Sequence, residues 1–209
     1  MVNIHIKKQL IKFFIYITGL SGSGKLSTAV TLSSTINAVI VNSHFYNNTQ
    51  IYPIYNDAFE HNQTPKEVQD KIYNTVHVML RAIEAYPIDS KNYIFIDELM
   101  KNNDYNVKIY NSVVELSKKM GTKILPIVLR CNPLTLQERN ALKKQRKNRK
   151  VININSIKFR VEDLFVPPNA IEIENSNMSI KEVAEEVISH MYRLGQIYSF
   201  YTKDDNFIY

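Results

Sequence analysis

A glycine-rich loop between an apolar run and a helical segment constrains this chain more than any other feature. Residues 19–25 read GLSGSGK, and they follow the apolar run at 13–17. Glycine allows the positive φ angles and the close backbone approach that such a loop needs. Successive backbone N–H groups at a helix N-terminus then form an anion site. The pattern predicts a phosphate-binding P-loop in which Lys25 reaches the β- and γ-phosphates of a nucleoside triphosphate.

The residue after the lysine departs from the usual P-loop pattern. That position normally holds Ser or Thr, whose hydroxyl binds Mg²⁺, but here it is Leu26. Ser27 follows, yet one residue along a helix is a rotation of about 100°, so its hydroxyl does not simply replace the missing ligand. Either water and a carboxylate complete the metal site, with Ser27 a candidate ligand, or catalysis is impaired. The predicted nucleotide-binding residues are Gly19, Ser21, Gly22, Ser23, Gly24, Lys25, Leu26 and Ser27.

Length, composition and charge limit the classes of protein to consider. A chain of 209 residues with 44% hydrophobic residues suits one α/β domain rather than two. The single cysteine, Cys131, excludes an intramolecular disulfide and fits a cytoplasmic location. No run approaches the ~20 apolar residues of a membrane span, so we expect no membrane partner. The net charge of +6 is concentrated at 143–150, where six of eight residues are Lys or Arg.

The hydrophobic pattern predicts alternating strands and helices. We expect strands at about 12–18, 38–42, 93–97, 123–129 and 170–174. We expect helices at 25–35, from Thr64 to before Pro87, and at about 104–120, 134–146 and 179–193. Strands that alternate with helices predict a mostly parallel sheet covered on both faces. The tail from Gly195 has no clear period, so we divide the chain into a domain at 1–194 and a C-terminal tail at 195–209.

Two acidic residues end the third predicted strand. Asp97 and Glu98 follow a run of apolar residues, which is the pattern of a Walker B strand. Ligands of open parallel sheets bind at the carboxyl ends of the strands, where these acids would lie. We therefore expect Asp97 to support Mg²⁺ or to activate an acceptor hydroxyl. The alternative is a strand end at which the acids only face solvent.

Two further segments are candidates for contacts with the reacting groups. His44, Asn47 and Asn48 follow the second predicted strand and could bind a phosphate acceptor, with His44 as a base or as a structural residue. The basic segment at about 142–155 predicts a mobile lid, in which Arg146 or Arg149 stabilises the transferring phosphoryl group. A solvated helix end or a nucleic-acid patch would produce the same basic cluster.

The loop form Gly-Lys-Leu-Ser resembles that of small P-loop ATPases described as AAA-family or shikimate-kinase-like. Four further segments are similar to segments of that family, with Ser43 and Asn132 where the family has Asn and Asp. These segments are 43–45, which contains His44, 129–133 with Arg139, 171–175 and 179–184. The resemblance covers most of residues 12–194.

The resemblance implies a nucleoside-monophosphate-kinase-like fold with the strand order 2-3-1-4-5. It also implies ATP binding and phosphoryl transfer to a small-molecule acceptor. Together with the motifs above, this leads us to expect ATP and Mg²⁺ as cofactors and Lys25, Asp97 and Arg146 as catalytic residues. Three alternatives stay open: a nucleotide-binding module without catalysis, a kinase or binder directed at nucleic acid, and a zeta-toxin-like kinase. The sequence does not indicate the acceptor or the oligomeric state.

Overall fold

One parallel sheet forms the centre of the protein. The computed structural model describes residues 11–42, 66–88, 91–146 and 161–204. Within them, five strands are arranged in the order β2-β3-β1-β4-β5, and every neighbouring pair is parallel. The strands are β1 Phe13–Gly19, β2 Ala38–Asn42, β3 Asn92–Ile96, β4 Lys123–Arg130 and β5 Ile171–Glu174.

Helices connect the strands and cover both faces of the sheet. They are α1 Lys25–Thr35, α2 Lys66–Ala85, α3 Asp104–Lys119, α4 Pro133–Arg146 and α5 Ile180–Asp204, with a short 3₁₀ helix at Val161–Asp163. None of the helices in the described ranges has the length and apolar character that crossing a membrane requires.

The central strand β1 is buried on both faces, and its alternating side chains divide the core in two. Phe13, Ile15 and Ile17 pack with residues of α1 and α5. Phe14 and Tyr16 pack on the other face with residues of α2 and α3. A strand covered on both faces needs a continuous apolar run, which is the pattern at 13–17. This three-layer packing holds the carboxyl end of β1, where the glycine-rich loop begins, in a rigid frame.

Capping side chains set where α3 and α4 begin. Asn103 begins α3, because its side chain accepts hydrogen bonds from the backbone N–H groups of Tyr105 and Asn106. Asn132 caps α4 in the same way by accepting from the Thr135 N–H at 2.8 Å. The cap explains how Asn fits at a position where the resembling family has Asp, since the two residues are equally good caps.

The predicted elements are confirmed, apart from the end of the last helix. The predicted and observed boundaries of each strand differ by at most one residue, and the predicted strand order 2-3-1-4-5 is confirmed. The helix predicted at 179–193 instead continues through Gly195 to Asp204. A single glycine costs only about 1 kcal/mol inside a helix, and each added residue gains a backbone hydrogen bond, so an aperiodic sequence does not end a helix already formed. The predicted start of the second helix, at Thr64, lies outside the described residues.

Candidate functional site

The glycine-rich loop joins the central strand β1 to α1, and its glycines adopt angles that other residues avoid. Gly19, Gly22 and Gly24 have φ values of 152°, 89° and 92°. A Cβ at position 19 would also lie 2.7 Å from the carbonyl oxygen of Leu129 and from the Ser23 hydroxyl. Position 19 therefore requires glycine for both its backbone angle and its contacts.

The first turn of α1 is open to an anion. Gly24 occupies the N-cap position in a left-handed conformation, and no side chain caps the helix. The first turn also contains no acidic residue that would compensate the positive end of the helix dipole. An uncapped helix start that follows positive-φ glycines matches what a phosphate group requires, so these residues fit a nucleotide.

The side chain of Lys25 is folded back against the loop. It is only 7% exposed, and its Nζ donates hydrogen bonds to the carbonyl oxygens of Gly19, at 2.6 Å, and Leu20, at 3.0 Å. The same Nζ lies 3.7 Å from Oε2 of Glu98. The predicted phosphate-binding lysine and the second acid of the predicted Walker B strand are thus brought together.

Asp97 lies directly beside the end of β1. Its backbone N–H donates to the carbonyl oxygen of Ile17 at 3.2 Å, and its side chain is largely buried. The Tyr16 hydroxyl donates to Oδ2 of Asp97 at 3.4 Å, while Oδ1 accepts from the N–H of Glu98 at 2.8 Å. Burial, with a smaller effect of the Asp97 carboxylate, raises the pKa of Tyr16 well above its usual value, so this phenol is a permanent donor.

Neighbouring groups have opposing effects on the pKa of Glu98. Its burial raises the pKa of its carboxyl, while Lys25 lowers it, Asp97 raises it, and a hydrogen bond from the Ser21 N–H lowers it again. The net direction is upward. Glu98 therefore gains a proton more readily than an exposed glutamate, at a place where a nucleotide would bring additional negative charge.

Leu26 and Ser27 lie on the solvent side of α1. Leu26 is 49% exposed, and it occupies the position at which a hydroxyl normally binds the metal. Ser27 is also exposed. Among the described residues, no three His, Cys, Asp or Glu side chains lie close enough together to hold a metal ion. Mg²⁺ commonly uses one or two carboxylates together with phosphate oxygens and water, and Asp97 suits that pattern.

The opposite side of the loop is held by three residues that sequence analysis did not assign to the site. Asn140 of α4 donates from Nδ2 to the Ser21 carbonyl at 3.0 Å. Asn175, which directly follows β5, donates from Nδ2 to the Ser23 carbonyl at 2.7 Å. Arg139 binds Asn175 in turn. The position of Asn175 at the carboxyl end of a strand was a usable signal, as it was for Asp97.

Several predicted site residues lie beyond what the structure describes. His44, Asn47, Asn48 and Arg149 are outside the described residues. Arg146 is the last residue of α4, and its side chain is not described. Their predicted roles at the acceptor site and in the lid stay predictions.

The described fold is similar to solved structures of small-molecule kinases. A gluconokinase from Sinorhizobium meliloti 1021 matches with a TM-score of 0.60 and 13% identity, over 93% of this chain and 99% of that one. The APS kinase of Mycobacterium tuberculosis, solved with AMPPNP and APS, matches with a TM-score of 0.51 and 16% identity, over 86% and 96%. Shikimate kinase from Acinetobacter baumannii, in complex with shikimate, matches at 0.50 and 14%, over 88% and 95%.

These matches define the class of fold. The chain has the P-loop kinase fold that its sequence predicted, and the similarity extends over almost the full length of each kinase. No family model matches the chain, and no curated protein matches its sequence.

Proposed function

We propose that this protein is an ATP-dependent kinase that transfers the γ-phosphoryl group to a small-molecule acceptor. One observation carries the proposal. The loop with Lys25 and the Asp97–Glu98 pair meet at the carboxyl ends of the adjacent strands β1 and β3, within the fold of the P-loop kinases. Phosphoryl transfer depends mainly on positioning and on stabilising charge, and this site concentrates groups suited to both.

The residues of the site divide this work among them. The amides at the start of α1 and the ammonium of Lys25 would bind the phosphates once Lys25 leaves the carbonyls of Gly19 and Leu20. Asp97, oriented by Tyr16, would hold Mg²⁺, which when bound neutralises charge on the transferring group. Ser27 is a second candidate ligand. Arg146 or Arg149 would stabilise the transferring group from the lid.

The acceptor would approach the site from the side of β2. The segment that contains His44, Asn47 and Asn48 follows this strand, and its amide and imidazole groups suit hydroxyl-rich acceptors. The similar solved structures include a gluconokinase and a shikimate kinase. Sugar acids and cyclic hydroxy acids therefore head the candidate acceptors.

The test measures ADP formation from Mg-ATP with a panel of sugar acids, sugars, shikimate-like acids, nucleosides and aminoglycosides. The key variant is Lys25→Ala. Lys119→Ala is the matched control, because Lys119 is an exposed lysine at the far end of α3. Acceptor-dependent ADP release by wild type and Lys119→Ala, but not by Lys25→Ala, supports a kinase. Equal turnover in Lys25→Ala refutes the proposal.

The second candidate function is a nucleotide-binding module with little catalysis. Leu26 favours it, because this residue removes the hydroxyl that usually binds Mg²⁺ in such loops. Tight ATP binding without acceptor-dependent ADP release over hours would support the module instead of the kinase.

A further inference from the structure

Two side-chain amides hold the glycine-rich loop from outside, and each binds the carbonyl that precedes a loop glycine. Asn140 donates to the carbonyl of Ser21, the residue before Gly22. Asn175 donates to the carbonyl of Ser23, the residue before Gly24. A trans peptide unit is planar, so its C=O and the N–H of the next residue point in opposite directions. Each amide therefore also sets the direction of a glycine N–H.

We propose that Asn140 and Asn175 are positioning residues for the phosphate-binding N–H groups of Gly22 and Gly24. The peptide units before these glycines are the ones most free to rotate, because glycine has no Cβ to restrict its angles. A rotated unit would present a carbonyl oxygen, rather than an N–H group, to a phosphate. By fixing the two carbonyls away from the ligand, the amides keep the two donors directed at it. The inference rests on the proposed function, because it needs a phosphate ligand in the loop.

The contact at Asn140 is direct and closely packed. A Cβ built on Gly22 would lie 2.8 Å from Nδ2 of Asn140 and 3.0 Å from its Cγ. The amide of Asn140 therefore lies directly against the loop. The hydroxyl of Ser21 lies 3.4 Å from Oδ1 of Asn140 and donates to it, so both ends of the amide face Ser21.

A neighbouring arginine holds the side chain of Asn175 in place. Arg139 donates from Nη1 to Oδ1 of Asn175 at 3.3 Å and from Nη2 to its backbone carbonyl at 2.9 Å. Since the guanidinium only donates, it holds Oδ1 on its own side and leaves Nδ2 facing Ser23. Asn175 is 3% exposed, so water competes little for this amide. The adjacent residues Arg139 and Asn140 thus connect α4, whose last turn lies in the predicted lid segment, to both loop peptides.

The experiment compares binding of ATP, inorganic tripolyphosphate and adenosine by calorimetry. Asn140→Ala is tested against Gln137→Ala, which truncates an exposed amide side chain on the same helix α4. Loss of one positioning hydrogen bond should weaken ATP and tripolyphosphate binding about three- to tenfold in Asn140→Ala. Adenosine binding should not change, and Gln137→Ala should bind all three ligands like wild type.

Asn175→Leu provides an independent variant. It removes the donor to the Ser23 carbonyl without adding a charge beside the phosphates, and because Asn175 is buried, its loss of tripolyphosphate affinity should at least equal that of Asn140→Ala. Thermal unfolding of each variant shows that the fold persists at the assay temperature.

Three results would overturn the inference. The first is wild-type affinity for tripolyphosphate in both Asn variants, and the second is an equal loss of adenosine affinity, which would indicate a general disturbance. The third is that wild type binds neither ATP nor tripolyphosphate, and this result would also overturn the proposed function. If wild type binds ATP but phosphorylates no acceptor, only the proposed kinase activity fails, and the comparison of affinities still decides the inference.

Discussion

Replacing Gly19 by alanine tests whether contacts or backbone angles determine the shape of the glycine-rich loop. The added Cβ would lie 2.7 Å from the carbonyl oxygen of Leu129 and 2.7 Å from the Ser23 hydroxyl, at a φ of +152°. Leu129 belongs to β4 and is paired with Gly19 in the sheet, so its carbonyl has little freedom to move. We therefore expect both a steric cost and a conformational cost.

The expected loss of folding free energy is the sum of these two costs. Overpacking of this kind typically costs about 1–3 kcal/mol, and a non-glycine residue in a disfavoured region costs about 1–3 kcal/mol more. A total of about 4 kcal/mol corresponds to a decrease in Tm of about 8–16 °C for a chain of this size. The loop should also lose most of its affinity for ATP, because relief of the contacts displaces the start of α1.

Two other glycines separate the terms in the same thermal unfolding assay. Gly121 also has a positive φ, +62°, but no atom lies within 4 Å of its built Cβ, so Gly121→Ala reports the backbone cost alone. We expect a cost of about 1–2 kcal/mol, which lowers Tm by about 2–8 °C. Gly195 lies within α5 without close neighbours, and Gly195→Ala should raise Tm slightly through helix propensity. Equal decreases for the alanine variants of Gly19 and Gly121 would refute the steric argument.

Three further predictions concern Tyr16, Glu98 and Leu26. Tyr16→Phe removes the hydroxyl that orients Asp97, and the long 3.4 Å contact predicts a loss of about 1 kcal/mol, or about fivefold in kcat, with a higher Mg²⁺ requirement. Tyr110→Phe, which alters a buried tyrosine of the same cluster, should keep wild-type kcat, and equal losses in both variants would contradict the assignment. Since burial raises the pKa of Glu98, its contribution to stability is fullest below the unfolded pKa and declines as pH rises through the raised value. Glu98→Gln should flatten that part of a Tm–pH profile, and an unchanged slope would show that another group titrates there. Leu26→Thr restores the usual hydroxyl and should lower the Mg²⁺ concentration for half-maximal ADP formation, whereas an unchanged Mg²⁺ dependence would show that the metal does not approach this position.

The two sides of the loop contact chemically different residues. On the side of β3, Asp97 and Glu98 bring negative charge towards Lys25 and the expected metal. On the side of β4 and β5, neutral amides from Asn140 and Asn175 bind loop carbonyls. Under the proposed function, the carboxylates would hold the metal, and the neutral amides would keep the N–H groups of the loop directed at the phosphates.

Much of the fold could be predicted because its signals are local. Five apolar runs separated by helical patterns predicted the strands of the sheet, and the GLSGSGK loop predicted a nucleotide site at the end of β1. Asp97 was predicted because two acids at the end of an apolar run match the pattern of a Walker B strand. The end of α5 was missed, because helix propagation does not depend on a hydrophobic period.

The sequence by itself determined the loop, its lysine and the helices and strands on either side, since these depend on residues adjacent in the chain. Only the tertiary structure decided what holds the loop. Ser23 and Asn175 are 152 positions apart, and Ser21 and Asn140 are 119 apart. Such pairs meet because parallel strands bring their carboxyl ends to one edge of the sheet, where helix α4 also packs. A hydrogen bond between distant residues leaves no periodic mark in the chain, so the pairing of its partners becomes visible only when the sheet has formed.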